Sequence, residues 1–119
     1  MASGLSRYLS RELVDHALKT GAYTQPTNIQ VALFTVAPGN DGLGGTEVSG
    51  GSYARVTHNV WAAASDAYPT VASNTGIISF PTPTAGWGEV VAFALYDDEV
   101  TPNMLAFGDL TTPKTINTD

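Results

Sequence analysis

The 119-residue chain carries 11 Asp and Glu against five Lys and Arg, a net charge of -6, so phosphate backbones and anionic membrane surfaces are poor partners for it. It has no cysteine, which excludes a disulfide framework and a thiolate metal site. No run of about 18 apolar residues is present to span a bilayer, and the opening MASGLSRYLSRELVDHALK lacks the unbroken apolar stretch of a signal peptide.

The length suits one domain, 1–119, able to bury roughly two-thirds of its unfolded surface. Charged residues make up 13% of the chain, about half the usual share. Such a surface is either covered in an assembly or rich enough in Thr, Ser and Asn to be solvated without charge.

Residues 3–20 read as the one helix. Leu5, Tyr8, Leu9, Leu13, Ala17 and Leu18 recur at three- and four-residue spacing. Ser3 is the first choice of N-cap and Ser6 the second, and Gly21 with Lys19 before it supplies a C-terminal stop. The stripe is expected to pack on the protein's own sheet, with docking on a partner as the alternative.

Residues 29–36 (IQVALFTV) are apolar on both faces and read as a central strand. Residues 37–52 (APGNDGLGGTEVSGGS) form a long glycine-rich loop, expected to be mobile until ordered against a neighbour. A calcium loop through Asn40, Asp41 and Glu47 fails on ligand spacing. On this reading residues 42–51 are dispensable for folding and needed for assembly.

Residues 53–61 (YARVTHNVW) alternate as a strand, with Tyr53, Arg55, Thr57, Asn59 and Trp61 on one side. A short edge strand at 70–73 and another at 77–80 follow, the latter ended by Pro81 and Pro83. Trp87 lies between glycines and reads as a plug over the sheet or, with Trp61, as a platform for stacking a glycan. Residues 90–96 (VVAFALY) are the second strongly apolar strand, with Val91, Phe93 and Leu95 facing one way and Val90, Ala92, Ala94 and Tyr96 the other. An acidic turn, Asp97-Asp98-Glu99, is expected to be solvated and leads to a return strand at 104–110 and a short tail at 114–117. Short strands broken by Gly and Pro imply a mainly β protein, an antiparallel β-sandwich of Ig-like or jelly-roll-like kind with one N-terminal amphipathic helix.

No catalytic constellation is legible. His16 and His58 share no metal motif, no serine sits in GxSxG, and no glycine pair opens a phosphate loop. The expectation is a protein with no catalytic residues, no metal and no cofactor, working through contacts.

Leu13-Val14-Asp15-His16, Gly21-Ala22-Tyr23-Thr24, Val31-Ala32-Leu33-Phe34-Thr35 and above all GTEVSGGSYAR at 45–55 carry a resemblance, continued by Ile78-Ser79-Phe80-Pro81, Trp87-Gly88, Phe93-Ala94-Leu95-Tyr96-Asp97 and Leu110-Thr111-Thr112-Pro113-Lys114-Thr115. The chain resembles the small tailed-bacteriophage virion proteins labelled phage tail-fibre proteins. The resemblance implies a non-enzymatic structural protein, made in the host cytoplasm and mounted on the virion, with other virion proteins and copies of itself as partners. A capsid decoration protein is one alternative, and an adhesion module for a host surface glycan is another. Relatives continue past the tail with one more strand, so the expectation is either a sequence that ends early or an edge filled by a neighbour through β-augmentation. Asp41, Leu43, Glu47, Val48 and Tyr53 of the loop, with Leu5, Tyr8 and Leu9 of the helix, are the expected assembly contacts.

Overall fold

A computed structural model describes residues 4–68, 72–98 and 101–118. The elements in chain order are β1 (Gly4–Leu5), α1 (Arg7–Ala17), β2 (Gln30–Val36), β3 (Thr46–Glu47), β4 (Val56–Thr57), β5 (Gly88–Tyr96) and β6 (Met104–Ile116). The fold is mainly β, and the six strands lie in one antiparallel sheet ordered β1-β6-β5-β2-β3, with β4 also on β2. Among the described residues no second sheet stands opposite; loops supply the second layer.

β2 and β5 pair from Gln30↔Tyr96 to Phe34↔Ala92, so the two apolar segments lie side by side at the centre. Ala32, Phe34, Ala92, Ala94, Tyr96, Met104 and Phe107 form one buried cluster. Val48, Trp87 and Val90 form another, with Leu33, Tyr53, Phe80, Leu110 and Ile116 against it. Strict alternation puts Val90 with Ala92, but the structure separates them. A register shift between Val90 and Ala92 interrupts the pairing of β5 with β6, and Val91 packs with the Ala92 cluster while Val90 joins Trp87. A bulge reverses which way the following side chains point.

The helix starts at Ser6. Its Oγ accepts from the Leu9 N–H at 3.1 Å, and its own N–H donates to the Leu105 carbonyl at 2.9 Å, which fixes the cap against β6. Ser3 lies outside the described residues. The left-handed residue that ends the helix is Lys19 (φ 65) rather than Gly21, because the chain turns two residues early onto the Asp15 carbonyl. As expected, α1 packs against β6, but shallowly: Tyr8, Leu9, Glu12 and Asp15 are half-buried and none of its residues is fully buried. Its start is tied to β6 by the Ser6 bond and to the loop after β2 by the Arg7 N–H on the Asn40 carbonyl, 2.8 Å.

The expected strand at 53–61 shrinks to β4. Tyr53 turns inward; the His58 N–H still donates to the Ile29 carbonyl at 2.8 Å, and one residue on, the Asn59 side chain, not its backbone, accepts from the Ile29 N–H at 2.8 Å. No strand forms at 77–80, where Phe80 instead stacks on Tyr53 with ring centroids 6.3 Å apart. Of the expected edge strand at 70–73, residues 70 and 71 lie outside the described residues, and Ala72 and Ser73 are not in a strand.

The return strand is longer than expected and takes in the tail, with Gly88↔Ile116 as its last pair. Ala92 pairs with Asp109 but Val90 with Lys114, so residues 110–113 bulge out opposite Val91. Pro113, which has no N–H to give, sits in that bulge. Bulge and proline blunt the β6 edge against strand addition, which weighs against the β-augmentation expected there.

The acidic turn is not simply solvated. Asp97 is 5% exposed, and its carboxylate accepts from the Asn103 N–H at 2.8 Å and from Asn103 Nδ2 at 3.0 Å. Asp98 accepts from Asn28 Nδ2 at 2.8 Å, and Glu99 lies outside the described residues.

Candidate assembly surfaces

The most distinctive stretch of the sequence, GTEVSGGSYAR, builds the edge of the sheet beside β2. β3 pairs with Phe34 and Val36, and β4 with Gln30 and Val31. Between them the edge of β2 at Leu33 has no strand opposite. The Val48 N–H donates to the Leu33 carbonyl at 3.0 Å, and the Leu33 N–H donates to the Tyr53 hydroxyl at 2.9 Å. One side-chain oxygen thus does the work of a missing strand.

The Tyr53 hydroxyl donates in turn to Glu47 Oε2 at 2.7 Å. Arg55 grips the same carboxylate at both oxygens, Nε to Oε2 at 2.9 Å and NH2 to Oε1 at 2.8 Å. Its guanidinium lies 3.8 Å from the centroid of the Tyr96 ring, a stacked and bidentate arrangement that lysine cannot reproduce. Burial opposes ionisation of Glu47, yet the hydrogen bonds from Arg55 and Tyr53 and the Arg55 charge outweigh it and hold the carboxyl below its usual range. Burial pushes the Tyr53 hydroxyl up, and the bond to Glu47 adds to the effect.

The glycines return the chain to this network. Gly50, Gly51 and Ser52 all have positive φ (77, 57 and 65). The Gly51 carbonyl accepts from the Thr84 N–H at 3.0 Å and from Trp87 Nε1 at 2.9 Å. Trp87 meets Tyr53 edge-on at 5.3 Å.

Of the residues expected from the sequence as contacts, three are engaged within the chain, Val48 buried and Glu47 and Tyr53 half-buried. Val48 is 5% exposed, Glu47 is bound to Arg55, and Tyr53 to Leu33 and Glu47. Trp87 is 7% exposed and offers no open ring face to a sugar. Trp61 is half-buried, its ring edge-on to His58 at 5.3 Å and its Nε1 donating to the His58 carbonyl at 2.8 Å.

Of the remaining expected contacts, Leu5, Tyr8, Asp41 and Leu43 lie about the helix start and the loop, and Leu9 lines neither of the clefts there. The loop is ordered by its own bonds: Gly39 N–H to the Leu43 carbonyl at 2.8 Å, Gly42 N–H to Gly39 at 2.9 Å, and Leu43 N–H to Asp41 Oδ1 at 3.0 Å. These bonds fold the loop into a compact tip. A cleft between this tip and the helix start is lined by Leu5, Arg7, Tyr8, Arg11, Asn40 and Asp41, and a neighbouring one by Tyr8, Asp41, Gly42 and Leu43. Leu5 and Leu43 are 52% and 70% exposed, and Leu9 is half-buried. Asp41 and Glu47 have separate partners, and among the described residues no group of three His, Asp or Glu is placed to hold a metal ion.

Sequence reasoning missed the exposed apolar residues of the 58–80 excursion, Val60 and Ile77, and Tyr68 at 99% exposure. The available signal was the near absence of charge there: Asp66 is the one Asp, Glu, Lys or Arg between Val56 and Gly88.

A family model described as Podophage GP4 fiber I protein gp80 matches residues 4–119. The chain belongs to this phage fibre family. The match spans every described element and bears out the resemblance carried by the GTEVSGGSYAR stretch. In this chain the GTEVSGGSYAR stretch builds an internal polar network and a sheet edge. No curated protein matches the chain.

Proposed function

We propose that this chain is a non-enzymatic structural component of a tailed-phage fibre, present on the virion in several copies and joined to other virion proteins. The family match over residues 4–119 carries the reading. The structure supports it in kind: Glu47, Tyr53, Arg55 and Asp97 spend their polar groups on one another and on the backbone, while apolar side chains such as Leu18, Leu43 and Ile77 face outward. That division suits a part whose work is contact with neighbours.

The test is the position of the chain in purified particles, by labelling a small tag at the chain terminus and imaging. Label on the tail appendages supports the reading. Label spread over the head lattice replaces it with capsid decoration. A glycan array adds the third outcome, since specific binding by the purified chain makes host recognition part of its role.

A further inference from the structure

Tyr96 closes β5 and is 9% exposed, its ring beneath the Arg55 guanidinium. Burial pushes its hydroxyl above the usual range, so it stays a neutral O–H, yet it forms no hydrogen bond with any described residue. A buried hydroxyl without a partner is costly unless something outside the chain supplies one. The oxygen is not sealed in. The fully enclosed side-chain atom without a partner, among the described residues, is His58 Nε2, so the Tyr96 oxygen keeps access to open space. That space is a cleft of about 220 Å³ between the loop tip, the start of α1 and the start of β6, and Tyr96 lines it.

Two further acceptors belong to the same cleft. Asp41 spends Oδ1 on the Leu43 N–H at 3.0 Å, and its Oδ2 has no partner among the described residues. Asn103 gives its N–H and Nδ2 to Asp97, at 2.8 and 3.0 Å, which fixes the amide and leaves its Oδ1 unbonded among the described residues. Among the described residues no Lys, Arg or His lines the cleft. Arg7 and Arg11 line its neighbour, and the Arg55 charge is matched by Glu47. Leu43, Pro102 and Met104 supply apolar wall. A carboxylate oxygen, an amide oxygen and a hydroxyl oxygen favour a ligand that donates, and the unmatched carboxylate favours a positive one. An ammonium head carries three N–H donors and no acceptor. The volume is that of about seven waters, below the roughly 300 Å³ at which drug-sized molecules are held, so the ligand is small.

We propose that this cleft binds a primary alkylammonium group, its head bonded by Asp41, Asn103 and the Tyr96 hydroxyl and its stem lying on Leu43 and Pro102. An apolar stem on apolar wall with the charged head on oxygens is the usual way such a group is held. A lysine side chain of a neighbouring protein and a free polyamine share this chemistry. The site goes beyond the fibre reading and does not rest on it, since the cleft is built by this chain alone.

Titrating the full chain with n-butylammonium chloride at constant ionic strength, followed by backbone amide NMR, tests this. Saturable shifts at Gly42, Leu43 and Asn103 are expected, in the millimolar range that suits so few ligand atoms. 1-Butanol and butyrate, which carry a comparable stem, are expected to give none. Asp41→Asn, which keeps an oxygen for the Leu43 N–H, and Tyr96→Phe are each expected to weaken binding about tenfold or more. Tyr96→Phe is also expected to keep the urea midpoint of the unaltered chain, because the oxygen it removes has no bond within the fold; this separates loss of the site from loss of folding. No saturable shift with butylammonium, equal binding of butanol, or unchanged affinity in Tyr96→Phe would each overturn the proposal. Putrescine and N-acetyl-lysine methylamide distinguish the sources: tighter binding of the diamine supports a free polyamine, and tighter binding of the blocked lysine supports a protein side chain. Particle imaging reads position and not amine binding, so a cleft that binds nothing leaves the fibre reading standing, and a chain found off the fibre leaves the site standing.

Discussion

Replacing Tyr53 by Phe removes one oxygen and keeps the ring against Phe80 and Trp87. That oxygen accepts from the Leu33 N–H and donates to Glu47. The stranded backbone N–H costs about 1–3 kcal/mol, because a buried donor loses its partner without regaining water. Loss of the bond to Glu47 adds less, since the Glu47 side chain is 26% exposed and water replaces part of it. The expected total is about 2–3 kcal/mol, a large part of the roughly 5–15 kcal/mol that holds a domain of this kind. Urea unfolding is expected to show a lower midpoint with an unchanged slope, and amide exchange at Leu33 is expected to accelerate while Ala94 stays protected. A loss below about 0.5 kcal/mol, within the range of ordinary surface substitutions, would refute the claim that the hydroxyl substitutes for a strand.

Gly51→Ala adds a Cβ 2.6 Å from the Ala85 carbonyl oxygen at a φ of 57, so thermal unfolding is expected to show a loss of about 2 kcal/mol or more. Gly50→Ala, with φ 77 and nothing within 4 Å, is expected to cost only about 1 kcal/mol. The Glu47 carboxyl is held below its usual range in the folded chain. Its contribution is therefore fully present above the unfolded value of about 4.3 and fades as pH falls through the folded value. Acid titration of stability is expected to show this loss in the unaltered chain and a shallower slope in Glu47→Gln. Deleting residues 42–51 removes β3, the core residue Val48 and the Gly51 turn, so circular dichroism with thermal melting is expected to show no cooperative transition; a normal melt would restore the dispensable loop.

Composition and patterning settled much about this chain. The short runs at 29–36 and 90–96, apolar on both faces and bounded by turn residues, named the two central strands. The three- and four-residue spacing named the helix, and Ser6 was within reach as its cap. The GTEVSGGSYAR stretch was recognisable as a signature, and the family match agrees with it. Its role was not legible. Tyr53 and Arg55 carry the alternation of a strand, yet Glu47, eight residues before Arg55, draws both side chains into one salt-bridged network, and only the fold brings that carboxylate within 2.8 Å. Burial also depends on contacts distant in sequence. Trp87 is a core residue whose indole N–H meets the Gly51 carbonyl, 36 positions away, and Leu13 and Val14 stay largely exposed on a helix anchored through Ser6 to Leu105 and through Arg7 to Asn40. Local pattern determines which faces are apolar, whereas what covers them is decided by long-range contacts that no short window of sequence contains.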